Sequence, residues 1–73
     1  MYIKNIRLSK EDIKDFVDGA NKCDFDIDIG YNRFIVDAKS IIGVFNLDFS
    51  HVLKVTYPTL DPAFEQLLEK YTV

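Results

Sequence analysis

The chain has 73 residues, with 9 Lys and Arg against 12 Asp and Glu and a formal net charge of −3. That length supports a single domain spanning residues 1–73, and the mild acidity argues against nucleic acid as the main partner. The composition is 48% hydrophobic with 3 Gly and 2 Pro, which excludes a disordered chain. No apolar run approaches the roughly 20 residues a membrane-spanning helix needs. Met1 leads into a polar stretch with no apolar signal region, so the expectation is a cytoplasmic protein without membrane insertion. Cys23 is the sole cysteine, so neither an internal disulfide nor a Cys-based zinc site is available.

In chain order, Tyr2 to Leu8 is rich in β-favouring residues that alternate, which predicts a first strand. Ser9 has the character of a helix N-cap, its hydroxyl accepting from a free N–H of the first turn, with Asp12 as the capping-box acid. Ile13, Phe16, Val17 and Ala20 then recur at helical spacing, and this helix is expected to end near Asn21–Cys23. Phe25, Ile27 and Ile29 alternate with Asp24, Asp26 and Asp28 as a half-buried second strand. Gly30-Tyr31-Asn32 reads as the turn into a third strand over Arg33–Asp37.

Ile41, Val44 and Phe45 keep helical spacing and predict a buried stripe on a second helix, capped by Ser40 and running to Leu47, with Ile42 left exposed. Val52 to Tyr57 is the fourth strand, with Leu53, Val55 and Tyr57 on one face. Asp61 and Pro62 open the last helix as cap and first helical residue, and Phe64, Leu67, Leu68 and Tyr71 line its buried side. The order β-α-β-β-α-β-α predicts an α+β domain with one antiparallel sheet, the helices on one face and solvent on the other.

Few residues offer chemistry. Asp24, Asp26 and Asp28 lack the Gly and Glu of a calcium loop, since Ile29 and Ile35 stand at those positions, so no metal is expected. His51 is the only histidine and lies in the connection before the fourth strand, and Cys23 reads as an inert packing residue. No cofactor-binding motif occurs. Ser40 sits where the N–H groups of a helix start converge, which favours an anion and makes it a phosphorylation candidate, with Lys39 nearby.

Lys39-Ser40-Ile41-Ile42-Gly43-Val44 resembles the regulatory-serine segment of the histidine-containing phosphocarrier protein (HPr) family of the bacterial sugar phosphotransferase system. The element order resembles that family's open-faced sandwich, which implies a four-stranded sheet of order 1-4-2-3. In the family, a histidine at the start of the first helix carries phosphate from Enzyme I to sugar-specific components, with an arginine and then a proline completing the motif. Setting Phe16-Val17 against the family's Phe-Val places Ser9 at the histidine, Glu11 at the arginine and Asp12 at the proline. The spacing from Ser9 to Ser40 then matches that between the family's two phosphorylation sites.

A neutral imidazole nitrogen is nucleophilic near neutral pH and its phosphoramidate transfers readily, whereas Ser9 has no base beside it. At an effective dielectric near 20, a unit charge about 4 Å away contributes roughly 4 kcal/mol, and Glu11 and Asp12 supply it with the wrong sign for phosphate. The resemblance thus implies a domain without catalytic residues. It would act as a regulatory, protein-binding module through Lys39, Ile41, Ile42 and Phe45, the last three matching the family's exposed apolar patch, with a serine kinase of the same system as a further partner. Competing expectations are a phosphocarrier with His51 as relocated acceptor, an unrelated small binding domain of similar fold, and self-association through the hairpin edge or the same patch.

Overall fold

The computed structural model describes residues 1–73. Strand β1 covers Tyr2–Ile6, a 3-10 turn Lys10–Asp12 leads into helix α1 at Ile13–Asn21, and strands β2 (Asp28–Tyr31) and β3 (Phe34–Asp37) form a hairpin. Helix α2 (Ile41–Phe45), strand β4 (Leu53–Tyr57) and helix α3 (Pro62–Glu69) complete the predicted order. The four strands form one antiparallel sheet in the order β1-β4-β2-β3.

The late strand β4 is central, and its alternation explains why. Leu53, Val55 and Tyr57 are fully buried, while Lys54 and Thr56 face the other side. Ile6 lies opposite Leu53, and Ile29 opposite Val55, so the buried positions of three strands form one layer. Onto it α1 lays Ile13, Phe16, Val17 and Ala20, and α3 lays Phe64 and Leu68. The Phe64 ring meets Tyr57 edge-on at 5.4 Å and Phe16 at 6.2 Å. Each such fully buried side chain stabilises the fold by about 1.5–3 kcal/mol relative to exposure. Gly19 admits the Leu67 side chain of α3 into a place a Cβ would occupy.

Several boundaries differ from the sequence reading. β1 stops at Ile6, because the Arg7 N–H donates to the Tyr71 carbonyl (2.9 Å) and Leu8 turns into the core. Beyond it, Thr72 bridges Ile6 and the Val73 N–H donates to the Asn5 carbonyl (3.2 Å), so the chain end runs along the outer edge of β1. β2 begins only at Asp28. Phe25 and Ile27 alternate in burial as expected, but that stretch pairs with no strand; Ile27 contributes its carbonyl to the Ala38 N–H at 2.8 Å. Gly30 and Tyr31 belong to β2, and the turn is Asn32-Arg33, with Asn32 at φ 51 in the left-handed region that Asn tolerates. Gly30 is required there, since a Cβ would collide with the Phe34 carbonyl.

Candidate functional site

The start of the first helix is closed on itself. Ser9 is extended (φ −105, ψ 172), and both its N–H and its hydroxyl donate to Asp12 Oδ2 at 2.9 Å, while the Asp12 N–H donates to the Ser9 carbonyl at 3.0 Å. Ser9 and Asp12 thus close the expected capping box, and the hydroxyl donates to the carboxylate as well. An anion brought to Ser9 would meet that carboxylate, with Glu11 exposed beside it. Arg7, the nearest guanidinium in sequence, donates instead to the Ser50 carbonyl at 3.2 Å.

On α2 the Ser40 Oγ accepts from the Gly43 N–H at 3.1 Å and the Val44 N–H donates to the Ser40 carbonyl at 3.0 Å, the predicted cap. The buried stripe is not as predicted. Only Val44 is buried, while Ile41, Ile42 and Phe45 are 51%, 73% and 56% exposed. A five-residue helix has room for one core residue when Gly43, 3.3 Å by its would-be Cβ from Val36, already sets how close it lies to β3. The three apolar side chains form the exposed patch that the family resemblance implied. Lys10 joins it to the first helix, its ammonium 5.9 Å from the centre of the Phe45 ring.

Lys39 does not turn its charge towards Ser40. Its ammonium donates to the Cys23 carbonyl (2.8 Å), its N–H donates to Asp37 Oδ1 (2.9 Å), and its carbonyl accepts from Asn21 Nδ2 (3.0 Å). Lys39 thus straps α2 to the end of α1. Cys23 is buried there, its Sγ 3.8 Å from the Gly19 carbonyl, and burial pushes its thiol pKa up, away from reactivity.

His51 belongs to a cluster that sequence reasoning did not assemble. Its ring stacks on Tyr31 at 4.2 Å and 4°, and Nε2 lies 3.7 Å from Asp48 Oδ2. The Asp48 N–H donates to the Tyr31 hydroxyl (3.1 Å), and Asp48 Oδ1 accepts from the Ser50 N–H (3.0 Å) and hydroxyl (2.8 Å). Those two bonds hold the Asp48 carboxyl below the usual range. The Asp48-x-Ser50 spacing carried a turn signal in the sequence; the Tyr31 contact, 17 residues away, carried none. The expected acidic strand face dissolves, because Asp24 and Asp26 lie in the loop and only Asp28 is in β2. A cleft of about 420 Å³ between α1 and α3 is lined by Asp15, Lys22, Asp61, Gln66 and Lys70 around Leu67.

No family model and no curated protein matches the sequence. Among solved structures, HPr-C-His from Thermoanaerobacter tengcongensis superposes with a TM-score of 0.74 at 26% identity, covering 94% of this chain and 90% of that one. The phosphocarrier protein HPr from Bacillus anthracis str. Ames superposes at 0.73 with 24% identity, covering 97% and 94%. The chain is HPr-like in fold over nearly its whole length.

Proposed function

We propose that this chain is an HPr-like relative of the phosphotransferase system that does not carry phosphate through histidine and that acts as a cytoplasmic regulatory module, docking a protein partner on α2. The observation that carries this reading is the exposed Ile41-Ile42-Phe45 patch on a helix that needs none of the three for its core. It adjoins a helix start where Asp12 occupies the Ser9 hydroxyl. Ser40 is the regulatory phosphorylation candidate. Its exposed hydroxyl uses its oxygen to cap α2, and a phosphate there would add charge at the rim of an apolar patch. A serine kinase of the same system is the proposed modifying partner.

The test is incubation with Enzyme I and labelled phosphoenolpyruvate, together with capture of phosphotransferase-system proteins by the wild type, Ile42→Asp and Ser40→Asp. The expected result is no label on the wild type and partner capture that Ile42→Asp abolishes. Stoichiometric labelling of the wild type, or capture indifferent to Ile42→Asp, overturns the reading.

The stacked His51 with Asp48 beside Nε2 supports a second reading, a phosphocarrier with a relocated acceptor. Label on the wild type that disappears in His51→Asn would establish it in place of the first.

A further inference from the structure

The two edges of the sheet are treated differently. The outer edge of β1 is partly occupied by the chain end, through Tyr71, Thr72 and Val73. The outer edge of β3 is open, with Phe34 and Ile35 65% and 62% exposed. In a two-residue hairpin the pair closing the turn, here Tyr31 and Phe34, is hydrogen-bonded. Phe34 and Val36 therefore turn their backbone groups to β2, and Ile35 turns its N–H and C=O outward. Of the devices that blunt an edge strand, the four-residue β3 has its short length and one charge, Asp37, but no lysine, proline or bulge across Phe34-Ile35-Val36.

The segment is also self-complementary. Arg33-Phe34-Ile35-Val36-Asp37 carries a cation at one end, an anion at the other and three apolar residues between. Antiparallel pairing about a two-fold axis at Ile35 sets Ile35 against Ile35, Phe34 against Val36 and Arg33 against Asp37 of the second copy. That register uses the outward groups of Ile35 as a hydrogen-bonded pair. It also answers a local imbalance. Asp37 lies directly opposite Asp28, a like-charge pair that destabilises a sheet. The ion pairs of the chain are Lys14–Asp18 and His51–Asp48, so neither of these acids meets a cation within the monomer. On the helix side, a groove of about 300 Å³ between β3 and α2, lined by Val36, Gly43, Asn46 and Leu47, lies next to where the second copy's Phe34 would project.

We propose that the free edge of β3 is a homodimer interface. Two copies would join there antiparallel in the Ile35-centred register, with Arg33 of each neutralising the Asp28–Asp37 pair of the other. This surface is distinct from the α2 patch and stands whether or not that patch binds a partner.

Sedimentation equilibrium on the whole chain tests it, with folding of each variant checked by circular dichroism. The wild type is expected to dimerise below about 1 mM. Arg33→Asp and Asp37→Lys alone should each weaken dimerisation at least about tenfold, and their equimolar mixture should recover it, since each then supplies the charge the other lacks. A wild type monomeric at about 1 mM, or variants that dimerise as the wild type does, overturns the proposal. A second measurement is independent of the charges. Ile35→Cys should form an intermolecular disulfide on mild oxidation, because hydrogen-bonded antiparallel partners stand about 5.5 Å apart at Cα. Phe34→Cys should cross-link at least about tenfold more slowly, and equal rates would mean another register or none. The buried Cys23 does not compete in either variant.

Discussion

The Lys10 ammonium stands 5.9 Å from the centre of the exposed Phe45 ring, so the start of the first helix and the patch on α2 share one surface. In this chain the helix start is acidic and self-bonded through Ser9 and Asp12, and the apolar patch beside it is open. A partner covering Phe45 would also cover Lys10, and the cation over the ring adds about 0.5–1 kcal/mol at an exposed site.

Because Ile42 is exposed, Ile42→Asp should change stability by no more than about 0.5 kcal/mol, and Phe45→Ala by about 0.5–1 kcal/mol through loss of the Lys10 contact. Both should nevertheless abolish partner capture. Urea denaturation beside the capture assay checks this, and equal losses in both would place the two residues in the core rather than at an interface.

Ser40→Ala removes the acceptor for the Gly43 N–H and should cost about 1 kcal/mol. In a domain of this size that corresponds to a fall in melting temperature of about 4–8 °C. Calorimetry measures it. A neutral substitution would show that the cap is dispensable.

The Tyr57 hydroxyl donates to Glu65 Oε2 at 2.5 Å, and burial first and this carboxylate second push the phenol pKa well above its ordinary value. The folded chain thus holds this proton after the unfolded chain has lost it, which happens from about pH 10. The stability contributed is complete below that pH and falls as pH rises through the folded value. Tyr57→Phe should lose about 1.5–3 kcal/mol near neutral pH and flatten the alkaline part of the stability profile. Denaturation midpoints between about pH 7 and pH 11 test both claims.

Restoring the family's helix start tests the alignment. Ser9→His alone should accept label from Enzyme I poorly, because Asp12 still holds the N–H of residue 9 and Glu11 remains beside it. Adding Glu11→Arg and Asp12→Pro should raise the labelling rate, since both opposing charges leave and a cation takes the place of one of them. Equal rates for the single and triple variants would show that Ser9 does not stand where the acceptor histidine belongs.

The three helices and the Asp61 cap on Phe64 were legible, because capping signals and buried alternation are local, whereas the sheet order came only through the family resemblance. The loop before β2 was misread for an instructive reason. Alternation reports which residues are buried, and Ile27 is, but a ladder also needs a neighbouring strand, and Asp24–Ile27 has none. On α2, helical periodicity assigned Ile41 and Phe45 to the core, although a five-residue helix buries only Val44. Likewise the Lys39 strap to Cys23 and the Tyr31–His51 stack span 16 and 20 positions, and no spacing rule reaches that far.

The sole thiol of the chain lies buried at the end of α1, on the wall of the α1–α3 cleft, where Lys39 holds its backbone carbonyl. Alkylation there needs further exposure of the thiol, so the native-state rate of Cys23 modification is a built-in clock for local opening at the end of α1. Lys39→Met would quicken that clock without touching the thiol, and a docked partner on α2 would slow it.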